Sequence, residues 1–358
     1  MIAQAGKPVS LLVLFAVMAG FGWVQAEPMP AFEVKTWIGD KTLTAERLKG
    51  RPYVVEFWAT WCGPCRQTIP HLSKLNQVFE PVGVPIIGLT SEPKNKIGKV
   101  RAFANEFGMD YYAGFDEGLG RKLNVRSIPT AFVVGKDGEI AWRGHPMQKE
   151  FEQSLIKATR EWLFPAKEFP KTGELAMNVV AGKSEKGVAE LKQQARQRGA
   201  EEEPQKALAL LESVAKREVE YAVASNATDP VAQILALRRT TDKYAGLDAA
   251  AKAAERAGEI LENQSAKDPG FADEVAATER YREIQEGFRS KLDAALPKAK
   301  TMKDRLSAAV RVLKETVAEM DALIERYPKA RVVPTVQAER KQMREAVKRF
   351  SDRLAKMP

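Results

Sequence analysis

The rhythm of apolar and polar positions changes near residue 170. Before that point, short apolar runs alternate with stretches of helical period. Pro52–Ala59 is apolar except at Glu56 and reads as a buried strand. Residues 63–79 then place Ile69, Leu72, Leu75 and Val78 at helical spacing, and 85–90 form a second short buried strand. A helical segment covers about 96–107. Thr130–Val134 and Glu139–Trp142 flank Gly135-Lys136-Asp137-Gly138, and Asp-Gly between apolar runs is a strong hairpin signal. Helical period resumes over about 148–163. This order predicts an α/β domain over about 27–166: a central mixed sheet with helices on both faces.

Beyond residue 170 the chain is rich in Ala, Lys, Glu and Arg, all good helix formers. The change is marked by Phe164-Pro165, Phe169-Pro170 and Gly173, which suit a linker. An all-α region over 170–358 is expected, with helices near 205–225, 230–243, 247–263, 270–294, 302–326 and 335–355. Asp229-Pro230 and Asp268-Pro269 each offer a capping acid followed by Pro at the first helical position. Leu306, Val310, Leu313, Val317, Met320 and Ile324 form an apolar seam of coiled-coil spacing. Such a seam serves either packing within the chain or a homodimer. Tyr244 and Tyr327, each before an Ala-containing helical stretch, resemble tetratricopeptide-type hairpins, although no regular repeat is evident.

The amino terminus has the order of an export leader. Lys7 is the only charge before Glu27, Val9–Val24 is almost wholly apolar, and Val24-Gln25-Ala26 suits a signal peptidase. Residues 1–26 are therefore expected to be a cleaved signal peptide, with a retained membrane anchor as the alternative. The expected location is the periplasm or cell envelope.

The net charge of +9 alters this picture little. Signs alternate in both halves, and no basic stripe with interleaved aromatics marks a nucleic-acid surface, so no nucleic-acid partner is expected. Lys94, Lys96 and Lys99 read as a solvated loop and helix start.

The chemistry lies in the two cysteines, Cys62 and Cys65 of Trp61-Cys62-Gly63-Pro64-Cys65. Cys62 falls after a buried strand and at a helix start. The partial positive charge and unpaired N–H groups there favour a thiolate, the species that attacks a disulfide. Cys65, one turn on and more covered, can attack the resulting mixed disulfide. Gly63-Pro64 suits that turn, because Pro is tolerated at the first helical position. A structural disulfide, a zinc half-site and an inert pair are the competing readings. The half-site would have only His71 and His145 to draw on outside the carboxylates, and both read as surface or structural residues. Glu56 interrupts an apolar strand six residues before Cys62. A buried carboxyl there has a raised pKa and can exchange protons near neutrality; an acid tipped to solvent is the alternative.

Val54–Cys65, with Phe57-Trp58-Ala59-Thr60-Trp61-Cys62-Gly63-Pro64-Cys65 and Pro70 beyond it, resembles the active-site strand and helix of the thioredoxin superfamily. The wording is similar to its exported TlpA/ResA-like branch. Ser127-Ile128-Pro129-Thr130 matches that family's cis-proline loop. The resemblance covers about residues 30–165. It implies a cis Pro129 lining the groove where a substrate backbone docks, with Trp61, Gly63, Pro64, Ile128 and Thr130 around it. It also implies an acid at Glu56 that assists the interior cysteine.

The expected function is thiol–disulfide exchange with protein thiols and disulfides, catalysed by Cys62 and Cys65 in the reducing direction, with no cofactor or metal. An exported reductant needs an upstream donor, for which a membrane-bound protein is expected. The alternatives are a dimeric disulfide isomerase or chaperone, and an envelope binding protein whose helical half recruits partners.

Overall fold

The computed structural model describes residues 27–197 and 202–357. The expected leader, residues 1–26, lies outside the described residues. By its internal contacts the chain divides into two units between Met177 and Asn178.

Strand β1 (Tyr53–Trp58) is buried along its whole length, as its apolar run predicts, because it lies at the centre of a five-stranded sheet. The others are β2 (Ile86–Thr90), β3 (Tyr112–Phe115), β4 (Thr130–Val134) and β5 (Ile140–Gly144), in the order β3-β2-β1-β4-β5. β1 is parallel to β2 and β2 to β3; β4 is antiparallel to β1 and to β5. The hairpin stands where Asp137-Gly138 placed it. Gly138 takes a φ of 83° and donates its N–H to the Gly135 carbonyl at 3.0 Å. β3 was not anticipated. It is four residues long and owes its pairing to the neighbouring strand.

Successive strand residues face opposite sides of the sheet. On one side Val55, Phe57, Ile87, Leu89, Phe132 and Val134 share a core with Leu119 and Leu123 from the short helix region after β3, and with Phe32, Val34 and Trp37. On the other side lie Val54, Glu56 and Trp58, beneath α1 (Cys65–Phe79) and α2 (Ile97–Glu106). The contacts that set this side are the Thr68 hydroxyl on Glu56 and the Trp58 ring stacked on Phe103 at 5.8 Å. After α3 (Leu119–Lys122), α4 (Lys149–Leu163) closes the domain, with Phe151 against Trp142 of β5. The predicted mixed sheet with helices on both faces is what the chain forms.

The helices that follow are α5 (Gly173–Val180), α6 (Gly187–Arg196), α7 (Glu203–Ser225), α8 (Pro230–Lys243), α9 (Asp248–Ser265), α10 (Phe271–Ala295), α11 (Met302–Arg326) and α12 (Val333–Ala355). α5 and α6 were not anticipated. Gly173, expected in a linker, opens α5, and at Gly187, which opens α6, a Cβ would stand 2.3 Å from Val179, so the missing side chain is a packing fit. Asp229 caps α8 as expected, accepting from the Ala232 N–H at 3.0 Å. Asp268 does not cap α10. Its carboxylate accepts from the Gly270 N–H at 2.9 Å, closing a local turn, and the helix starts at Phe271.

α10 serves two apolar cores. Phe271 and Val275 pack with Ile234, Leu237, Ala253 and Ala257 of α8 and α9. Ala277, Tyr281 and Ile284 pack with α11 and α12. Val317, Ile324 and the buried Leu313 and Met320 of the seam belong to that second core, so they are covered within the chain.

Candidate active site

β1 delivers the chain to the site and α1 begins it. Between them Thr60 is held by Glu92, whose carboxylate accepts from the Thr60 backbone N–H and from its hydroxyl, both at 2.8 Å. The Cys62 N–H closes a turn on the Ala59 carbonyl at 3.1 Å. Pro64 takes helical angles (φ −61°, ψ −31°) and Cys65 follows as the first residue of α1. This is the turn that the Gly-Pro pair predicts.

Cys62 and Cys65 are joined as a disulfide. The Cys65 backbone N–H donates toward the Cys62 sulfur at 3.2 Å. When the bond is reduced, that N–H and the helix terminus favour negative charge on Cys62 over Cys65. Access follows the same order: Cys62 is 3% exposed and Cys65 is sealed. Trp61, 72% exposed, stands on the rim beside the exposed Gly63 and Pro64.

Glu56 is fully buried beneath the first turn of α1. The Thr68 hydroxyl bridges that turn and the acid, lying 3.2 Å from a Glu56 carboxyl oxygen and 3.1 Å from the Cys65 carbonyl. The Tyr111 hydroxyl donates to the other Glu56 oxygen at 2.9 Å. Burial pushes the Glu56 pKa up to about 7, and the bonds from Tyr111 and Thr68 hold it from rising further. Room for this arrangement comes from Gly88, the direct cross-strand partner of Glu56. A Cβ on Gly88 would sit 2.8 Å from the Tyr111 ring and 3.0 Å from the Trp58 indole nitrogen.

The Ile128–Pro129 bond is cis. The β1–β4 register pairs Phe57 with Thr130, which sets the Ile128–Pro129 bond beside the loop leaving β1. The Thr130 hydroxyl donates to the Ser127 carbonyl at 2.7 Å. Ile128 and Trp61 both line a groove of about 670 Å³. Of the residues singled out from the sequence, Trp61 and Ile128 thus share this groove, while Glu56 and the first turn of α1 are joined through Thr68. His71 packs edge-on to Phe151, and His145 accepts from the Met147 N–H at 3.2 Å, so both serve structure. No trio of His, Cys, Asp or Glu suited to a metal ion occurs among the described residues. Sequence reasoning missed Thr68, Glu92 and Tyr111. Thr68 lies one turn past Cys65 on α1, whereas Glu92 and Tyr111 are distant in sequence and only the tertiary fold brings them in.

Residues 26–143 match the AhpC/TSA family. Thioredoxin-like protein YneN of Bacillus subtilis is 33% identical over 138 residues, which is 37% of this chain and 80% of that protein. The chain belongs to the thioredoxin-like AhpC/TSA family. Thiol:disulfide interchange protein DsbE of Pseudomonas fluorescens is 37% identical over 116 residues, 32% of this chain and 62% of that protein. Among solved structures, a thiol:disulfide interchange protein of the thioredoxin family from Chlorobium tepidum is 25% identical. It aligns with 38% of this chain and 98% of its own, at a TM-score of 0.34. This family member is a thiol–disulfide oxidoreductase, as its relatives are named, with Cys62 and Cys65 at the helix start fitting the paired-cysteine site.

Proposed function

We propose that this oxidoreductase reduces protein disulfides in the periplasm or cell envelope. The observation that carries the reading is the Cys62–Cys65 pair at the first turn of α1 directly above a buried acid. In the reduced enzyme the Cys62 thiolate attacks a substrate disulfide. One substrate sulfur leaves as a thiolate and the other stays bonded to Cys62. Glu56 takes the Cys65 proton. The Cys65 thiolate then attacks the Cys62 sulfur, the second substrate thiolate leaves, and the Cys62–Cys65 disulfide closes. Two electrons have passed to the substrate, and a membrane-bound thiol donor restores the dithiol. Trp61, Gly63, Pro64, Ile128, Pro129 and Thr130 form the walls against which the substrate backbone lies. The export leader pattern supports the location, and Gly-Pro between the cysteines, the wording of reducing thioredoxins, supports the direction. The boundaries proposed are a leader over 1–26, the catalytic domain over 27–166 and a helical domain over 170–358.

Cys62→Ser should abolish reduction of insulin disulfides, and retained activity would overturn the reading. Cys65→Ser should accumulate mixed disulfides through Cys62, releasable with a small thiol and identifiable by mass.

A further inference from the structure

The groove beside the disulfide holds charges of both signs, but they are not equally free. Its acids are turned inward. Glu92 spends both oxygens on Thr60. Asp116 accepts from the backbone N–H groups of Gly118, Leu119 and Gly120 at the start of α3, and its second oxygen also receives the Ser91 hydroxyl at 3.3 Å. The basic residues are committed differently. Lys94, near the rim, is paired with Glu117 at 2.6 Å. Lys96, Arg121 and Arg126 line the groove itself, are exposed, and have no acidic partner among the described residues. Arg126 donates from Nε to the Asn124 amide oxygen at 3.3 Å, an uncharged partner. Between these cations the wall is apolar, with Trp61, Val125 and Ile128.

Resting on the proposed disulfide reduction, we propose that this groove selects extended protein segments with Asp or Glu flanking the reactive cysteine. A carboxylate on the segment meets Lys96, Arg121 or Arg126. A cation on the segment meets the same three and finds Glu92 and Asp116 engaged with Thr60, Ser91 and the start of α3. The substrate cysteine stays beside Trp61 and Ile128, so charge acts on the approach and residence of the segment and not on the sulfur chemistry. This part of the basic stretch at 94–99 is thus a selecting surface, where the sequence pattern reads as a solvated loop.

The test uses the full-length dithiol enzyme and three peptides of one length, each carrying one disulfide, with Asp, Ser or Lys on both sides of the cysteine. Wild type should reduce the Asp peptide roughly five- to tenfold faster in kcat/KM than the Lys peptide at low ionic strength, with the Ser peptide between. The ratio should shrink toward one at high salt, as screening requires. In a variant carrying Lys96→Glu, Arg121→Glu and Arg126→Glu the order should invert, whatever the absolute rates. Should that variant fail to fold, Arg126→Glu alone should shift the ratio in the same sense. Equal rates for the three peptides, a preference for Lys, or a ratio unmoved by charge reversal would overturn the proposal. Reduction of the Ser peptide separates the two claims. Equal reduction of all three leaves disulfide reduction standing and the selectivity refuted, whereas reduction of none refutes both.

Discussion

The Tyr111 hydroxyl donates to the Glu56 carboxyl at 2.9 Å, across 55 residues of sequence and inside the sheet. A hydrogen bond to an ionised group favours the ionised form, so this bond opposes what burial does to the acid. Tyr111→Phe removes it and leaves the ring in place. The Glu56 pKa, about 7 in the wild type, should then rise by about one unit, since a bond to a charged group is worth roughly 1.5 kcal/mol or more. Carboxyl-carbon NMR of the oxidised protein reads this directly. The pH midpoint of disulfide reduction should move up by a similar amount, and an unmoved midpoint would show that Glu56 does not serve Cys65.

The same acid makes the domain pH-sensitive. Glu56 holds its proton up to about pH 7 when folded, against an ordinary value of 4.5. Between those limits the folded chain binds more protons than the unfolded one, so stability falls as pH rises through the window. Glu56→Gln removes the titration. The difference in unfolding free energy should change in favour of the variant by on the order of 3 kcal/mol from the acid to the alkaline side. Urea titrations of both proteins across the window measure it.

Glu92 restrains the loop that presents Cys62. Glu92→Ala frees the Thr60 N–H and hydroxyl at once. Disulfide reduction should lose about tenfold in kcat/KM, from a pair of charge-assisted bonds worth about 1–2 kcal/mol in positioning. Thr60→Val keeps the N–H bond and should lose less. Steady-state rates on a peptide disulfide, with melting temperatures alongside, distinguish positioning from loss of fold.

In the helical unit Glu218 is the anchor of a buried cluster. It lies 2.5 Å from the Lys243 ammonium and accepts from the Tyr244 hydroxyl at 2.7 Å. Burial lowers the Lys243 pKa and Glu218 opposes that. Glu218→Ala leaves the ammonium buried without its counter-charge and should cost about 3–5 kcal/mol, read as an earlier loss of helical circular dichroism on heating.

Much of the catalytic domain was readable because its signals are local. The all-buried β1 and the Asp137-Gly138 turn each follow from residues within a few positions of one another, as does the capped α8 in the helical unit. Cys62, Cys65 and Glu56 share a single strand–turn–helix segment, and Pro129 precedes a strand. What escaped reading depends on distance. β3 has no pattern of its own and exists because β2 offers an open edge. Tyr111 and Glu92 are ordinary residues until the parallel crossovers bring them to Glu56 and Thr60. α5 and α6 are short, and the glycines that open them serve close packing, which composition does not reveal.

Gly88 links the packing of the sheet to the proton affinity of the site. Opposite Glu56, the absence of a side chain admits the Tyr111 ring and the Trp58 indole to the same small volume. A methyl group there would press on the phenol and disturb the donor that keeps the acid near neutrality. On the proposed proton transfer from Cys65 to Glu56, the working pH of the interior sulfur is encoded partly in a residue that carries no functional group. A substitution in the middle of β2 would surface as an altered pH optimum, although nothing at the cysteines had changed.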